Sequence, residues 1–108
     1  MSVYLIADVK VTDGGWVPDH AAQVHGLVAR HGGRYLARSG NIARLEGAAS
    51  DSTLIALLEF PSEAALKAFA SDPAYAPFAK ARQAGSVCAF TMIDDTDLAG
   101  TISFLRAG

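Results

Sequence analysis

Two stretches of this chain are apolar on both faces of the strand each would form, and the rest of the sequence holds only enough helix to cover one of those faces. In the first, Val3, Leu5, Ala7 and Val9 alternate with Tyr4 and Ile6; the second, from Thr53 to Phe60, has hardly a polar break. A sheet that is apolar on both sides has to be covered on both sides. The simplest second cover is another copy of the chain, which makes the expected assembly a homodimer.

The helical stretches are set out between the strands in a readable order. Val3 to Val11 alternates as a strand, and Thr12-Asp13-Gly14-Gly15 supplies turn chemistry. From Trp16 or Val17 to Arg30 or His31 the period becomes helical, with Val17, Ala21, Val24 and Val28 on one stripe before Gly32-Gly33 ends it. Arg34 to Ser39 reads as a strand that Gly40-Asn41 turns or bulges and that Ile42 to Glu46 continues. After the strand Thr53–Phe60, Ser62 is the expected N-cap of a helix with Glu63 in its first turn and Leu66, Phe69 and Ala70 on its inner stripe. Asp72-Pro73 breaks that helix, and Tyr75, Phe78 and Arg82 share a face of the next segment before Gly85 stops it. Val87 to Ile93 is the last strand. Strand, helix, strand, strand, broken helix, strand is the order of an α+β ferredoxin-like plait with an antiparallel sheet. The expected domain spans residues 1–93, and residues 94–108 form an extension in which Thr101 to Leu105 is a candidate edge strand or dimer arm.

Composition limits what such a domain can meet. Apolar residues are 51% of the 108 and charged residues 19%, a globular balance sized for one core, and the net charge of −2 leaves no basic footprint for nucleic acid or an anionic membrane. Nucleic acid and membrane are therefore not expected partners. One cysteine, Cys88, precludes an internal disulfide framework and suits a reducing compartment, so a cytoplasmic location is the expectation. Asp8 and Lys10 interrupt the apolar amino terminus, which does not read as a signal peptide.

The segment Gly32-Gly33-Arg34-Tyr35-Leu36-Ala37-Arg38-Ser39-Gly40, together with Leu45-Glu46-Gly47, Glu59-Phe60-Pro61-Ser62, Asp72-Pro73-Ala74-Tyr75 and Arg82-Gln83-Ala84, resembles the domain-of-unknown-function 1330 family over about Val3 to Ile93. The resemblance implies a dimeric α/β barrel, a superfamily that also contains muconolactone isomerases and cofactor-free quinone-forming monooxygenases. It implies no cofactor and no settled activity, because fold does not carry chemistry across. The chain departs from the family at Val17 and His20, where tyrosines are typical.

Three histidines raise the question of a metal, and helix geometry answers it. His20 and His25, five residues apart, point roughly 140° away from each other, and His20 and His31, though aligned, are on the order of 16 Å apart. No metal site is expected. His20 falls within the arc of Val17, Val24 and Leu27, which makes it either an acid–base group or a hydrogen-bonded histidine at the rim of the core. If the odd positions of the first strand face the helices, Tyr4, Ile6 and Asp8 face the dimer side, as do Ile55, Leu57 and Glu59 from the Thr53 strand. Arg38 is expected to join them. Asp8, Glu59 and Arg38 then form either a ligand pocket, in which a carboxylate is the base and the guanidinium holds an anion, or an intersubunit ion-pair set. Arg82 either stacks on an aromatic ring or reaches a pocket mouth, or lays its stem on the core and sends its head to water. Cys88 reads as a buried thiol, and Asp94-Asp95-Thr96-Asp97 as a solvated turn.

The catalytic candidates are thus His20, Asp8 and Glu59, and the ligand-binding candidates Arg38, Tyr4 and Arg82. The expected function is a small homodimer that binds an apolar or aromatic metabolite between sheet and helices, with cofactor-independent acid–base or oxygenation chemistry. The alternative is a non-enzymatic dimeric ligand-binding or assembly module.

Overall fold

A computed structural model describes residues 1–99. Four antiparallel strands form one sheet in the order β2-β3-β1-β4, where β1 is Val3–Val11, β2 Arg34–Ser39, β3 Leu54–Phe60 and β4 Ser86–Asp94. Three helices, α1 (Val17–Arg30), α2 (Glu63–Ala70) and α3 (Ala76–Ala84), complete the chain order β1-α1-β2-β3-α2-α3-β4 after a short 3-10 turn at Gly14–Trp16. This is the expected plait, with the two most apolar strands, β1 and β3, at the centre of the sheet.

Local chemistry sets the helix boundaries. Pro18 in the first turn of α1 needs no amide partner there. At the other end Gly32, with φ +78°, turns the chain out, and the amides of His31 and Gly33 both donate to the Val28 carbonyl. The Ser62 hydroxyl accepts from the Ala65 amide at 3.0 Å, capping α2. Asp72 then joins the helices: its carboxylate accepts from His31 Nε2 at 2.8 Å and from the Ala74 amide at 2.9 Å, and Arg30 lies 3.6 Å away.

The helices cover one face of the sheet. Val3, Leu5 and Ala7 of β1 and Ala56, Leu58 and Phe60 of β3 pack beneath Val24, Leu27 and Val28 of α1, with Phe69 and Tyr75 closing the core. Phe60 is completely buried, a contribution of about 3 kcal/mol. On the other face no helix among the described residues lies over Ile6, Ile55 or Leu57.

Two expectations differ from the structure. Ile42 to Glu46 does not extend β2, and residues 40–53 have no regular secondary structure. The β2–β3 ladder ends at the Ser39–Ile55 pair, so the chain beyond it has no strand alongside. This segment is tied down at its end instead, by the Lys10–Asp51 ion pair at 2.7 Å, the Ser52 hydroxyl donating to Asp8, and the Thr53 amide on the Val9 carbonyl at 2.8 Å.

The second difference concerns Arg38. Tyr35 is opposite Leu58, but Ala37 is opposite Leu57, so one extra residue, Leu36, is accommodated as a bulge. Because side chains alternate with a period of two, that single insertion moves Arg38 from the outer face to the helix-covered face, opposite Ala56. Arg38 therefore does not share a face with Asp8 and Glu59. The acidic turn after β4 is closed by Asp94 and Asp97 accepting from the Thr96 and Ala99 amides. The candidate strand Thr101 to Leu105 lies outside the described residues.

Candidate active site between the sheet and the helices

A cavity of about 520 Å³ lies between the covered face of the sheet and α1, a size suited to a small organic ligand. Its floor is apolar, built from β1 and β3, and its basic side chains are His20 from α1, Arg38 from β2 and Arg82 from α3. Trp16, just ahead of α1, meets the His20 ring edge-on at 5.1 Å. The indole is itself fixed, because its Nε1 donates to the Gly85 carbonyl at 3.1 Å.

His20 and Arg82 are the electrostatically unusual pair. His20 Nε2 is buried and has no hydrogen-bond partner among the described residues, and the same holds for Arg82 Nε. Burial, and secondarily the Arg82 charge, push the His20 pKa down to about 4. The imidazole is therefore neutral near pH 7. Arg82 is only 6% exposed, with its guanidinium stacked 4.2 Å from the centre of the Phe90 ring. Buried polar groups are ordinarily satisfied, so two bare ones lining one apolar cavity are what a site built for a polar ligand would show.

Arg38 occupies a more solvent-facing part of the same cavity. Its guanidinium lies 4.2 Å over the Tyr35 ring and donates to His25 Nδ1 at 3.2 Å, and His25 in turn stacks on Tyr35 at 5.6 Å. Burial raises the Tyr35 phenol pKa, with Arg38 pulling in the opposite direction. The three histidines thus go three ways: His20 to the cavity, His25 to the Tyr35 stack and His31 to Asp72.

The structure divides the six candidate residues into two sets. His20, Arg38 and Arg82 line the cavity. Tyr4, Asp8 and Glu59 are on the opposite face of the sheet, where Tyr4 is opposite Glu59 and Asp8 is opposite Ile55. There Glu59 accepts from Arg34 Nε at 2.8 Å, and Asp8 accepts from Ser52. Sequence reasoning did not single out Trp16, Tyr35 or Phe90. Phe90 is the ring that Arg82 lies over, and nothing in the residues around Leu36 announces the bulge that brings Arg38 to Tyr35.

The family model described as Domain of unknown function (DUF1330) matches residues 2–96. The chain belongs to this family. No curated protein matches it. Among solved structures, the DUF1330 chain is similar to RPA0582, a protein of unknown function from Rhodopseudomonas palustris, with a TM-score of 0.77 and 17% identity over 89% of this chain and 83% of that one. It is also similar to SnoaB, a cofactor-independent oxygenase from Streptomyces nogalater, with a TM-score of 0.63 and 15% identity over 89% and 94% of the two chains. A third similar structure, Rv0793 from Mycobacterium tuberculosis, has a TM-score of 0.54 and 14% identity over 90% and 97%. At these identities the likeness is one of fold, the dimeric α/β-barrel type of plait. Among the described residues no helix is long and apolar enough to cross a membrane.

Proposed function

We propose that this DUF1330 protein takes a small aromatic or apolar anion into the cavity under α1 and withdraws a proton from it at His20, without a metal or organic cofactor. The observation that carries this reading is that His20 Nε2 and Arg82 Nε, both buried and without a hydrogen-bond partner among the described residues, line one largely apolar cavity. The neutral imidazole has a free lone pair for the proton of an acidic O–H or C–H, and the electron pair left on the substrate is held by the Arg82 guanidinium. A substrate anion generated in this way is electron-rich. That agrees with the cofactor-independent oxygenation named for SnoaB, a chain of similar fold.

The same reading makes the working unit a homodimer joined through the uncovered sheet face. Ile6, Ile55 and Leu57 form an apolar surface there that no helix among the described residues covers, framed by Tyr4, Asp8 and Glu59, which act in register and pairing rather than in proton transfer. Leu57→Arg should then convert dimer to monomer in sedimentation equilibrium; an unchanged mass would remove this face from the interface.

The binding-only alternative has one observation in its favour, since a histidine whose pKa is about 4 is a weak base. 4-Nitrophenol separates the two, because its anion absorbs in the visible and Trp16, the single tryptophan, lines the cavity and reports occupancy by its emission. Under mildly acidic conditions the wild-type protein is expected to quench Trp16 and raise the phenolate absorption, and His20→Phe to quench without the absorption change. Quenching with no phenolate in the wild type leaves only a binding module. Neither signal would contradict the site itself.

A further inference from the structure

The floor of the cavity has a shape that specifies more than an aromatic anion. Arg38 is opposite Ala56, Ala56 is opposite Ala7, and Ala7 is opposite Phe90, so these four residues form one row across all four strands on the helix-covered face. The two alanines at the centre of the row are flanked along their strands by Leu58 and Leu5 on one side and Leu54 and Val9 on the other. Small side chains between two larger rows make a trough running across the strands.

The trough has a cation at each end. Arg38 closes one end, and at the other Arg82 lies over Phe90. Three strand spacings of about 4.8 Å put the backbones of the two end residues on the order of 14 Å apart. Neither guanidinium is paired with a carboxylate among the described residues: Arg38 donates to the His25 ring, and Arg82 Nε donates to nothing. A ligand with one anionic group would answer Arg82 and leave Arg38 unanswered, although the bulge at Leu36 turns Arg38 into this trough and away from the outer face.

We infer that the trough takes a rigid, flat molecule bearing a carboxylate or other oxyanion at each end, its ring system lying over Ala7 and Ala56, with Arg82 holding the inner anion and Arg38 the outer one. This rests on the cavity being an aromatic-anion site and adds a second, length-dependent point of recognition to it. A planar ring fits a floor of alanines without displacing side chains, and a guanidinium held over an aromatic ring can still offer N–H groups to an oxyanion.

Isothermal titration calorimetry on the whole chain tests the inference with three pairs of probes: terephthalate and benzoate, naphthalene-2,6-dicarboxylate and 2-naphthoate, and biphenyl-4,4′-dicarboxylate and biphenyl-4-carboxylate. At least one diacid should bind about tenfold or more tightly than its own monoacid. In Arg38→Met, whose side chain is exposed and whose replacement leaves the core alone, that advantage should vanish while the monoacid affinity stays within about threefold. Arg82→Met should weaken diacid and monoacid together; if it fails to fold, Arg38→Met decides the matter alone. Monoacids that bind with no diacid advantage, or an advantage that survives in Arg38→Met, overturn the two-ended site and leave the aromatic-anion reading standing. No binding of any probe overturns both.

Discussion

Replacing Gly85 with alanine places one methyl group where three elements converge. Gly85 follows α3, and its carbonyl accepts from the Thr12 amide at 2.9 Å, the Asp13 amide at 3.0 Å and Trp16 Nε1 at 3.1 Å. An added Cβ would be 2.4 Å from Trp16 Cδ1, 2.8 Å from Trp16 Nε1 and 2.7 Å from the Asp13 carbonyl oxygen. Ordinary contact begins near 3.4 Å, so the indole has to retreat by about 1 Å, and the Asp13 backbone has no rotamer with which to do the same. Overpacking of this kind costs about 1–3 kcal/mol, and losing the indole hydrogen bond adds about 1 kcal/mol. A total near 2–4 kcal/mol corresponds to a fall in Tm of roughly 10 °C or more for a domain of this size. Differential scanning calorimetry reads it directly. Gly26→Ala is the matched control: nothing lies within 4 Å of its added Cβ on α1, so it should raise stability by about 0.5–1 kcal/mol. A Gly85→Ala protein that melts with the wild type would refute the packing of Trp16 against the β4 end of α3, and with it the rigid wall beside His20.

Gly33→Ala should lower stability by about 1–3 kcal/mol in urea titration, because its Cβ would fall 2.6 Å from Phe60 Cε1 and 2.8 Å from Val28 Cγ1 in the tightest part of the core. Arg82→Met should leave the urea midpoint unchanged or raised, since it removes a buried cation without a carboxylate partner, while abolishing anion binding; a loss above about 2 kcal/mol would mark Arg82 as structural. The depressed His20 pKa fixes a pH dependence. The unfolded chain binds a proton at His20 near pH 6.5 and the folded chain only near 4, so stability falls as pH drops between these values and is indifferent to this group above them. His20→Phe should remove that part of the slope, and identical slopes in chemical denaturation would show that His20 is not held neutral.

Much of the fold can be read in the residues because its signals are local and mutually consistent. Alternation in β1, the stripe of Val24 and Val28, the Ser62 cap, the Asp72-Pro73 break and the stop at Gly85 each act within a few residues and agree with one another. Leu5, Ala7 and Val9 of β1 face the helices as their alternation requires and line the cavity, whereas the pocket expected from Asp8, Glu59 and Arg38 was on the opposite, dimer-facing side. What escapes is non-local. The Leu36 bulge depends on how β2 lies against β3, and a single inserted residue there reassigns Arg38 from one face of the sheet to the other. The same bulge explains why the candidates divide: Asp8 and Glu59 kept the parity assigned to them, and Arg38 did not. Trp16 was assigned only to the helix start, yet its position four residues before His20 on adjoining helical turns is what makes it the wall of the site.

His20 sits neutral in the cavity, its Nε2 without a hydrogen-bond partner among the described residues and open to an acidic or anionic ligand. Long-range ¹H–¹⁵N NMR of the His20 imidazole, titrated with pH in the free protein and with saturating 2-naphthoate, tests it most directly. The ring should stay neutral in the free protein until pH falls toward about 4, and that pKa should shift clearly upward when the carboxylate is bound beside it. A free His20 that titrates at an ordinary histidine pKa, or a bound carboxylate that leaves its titration untouched, would contradict the account.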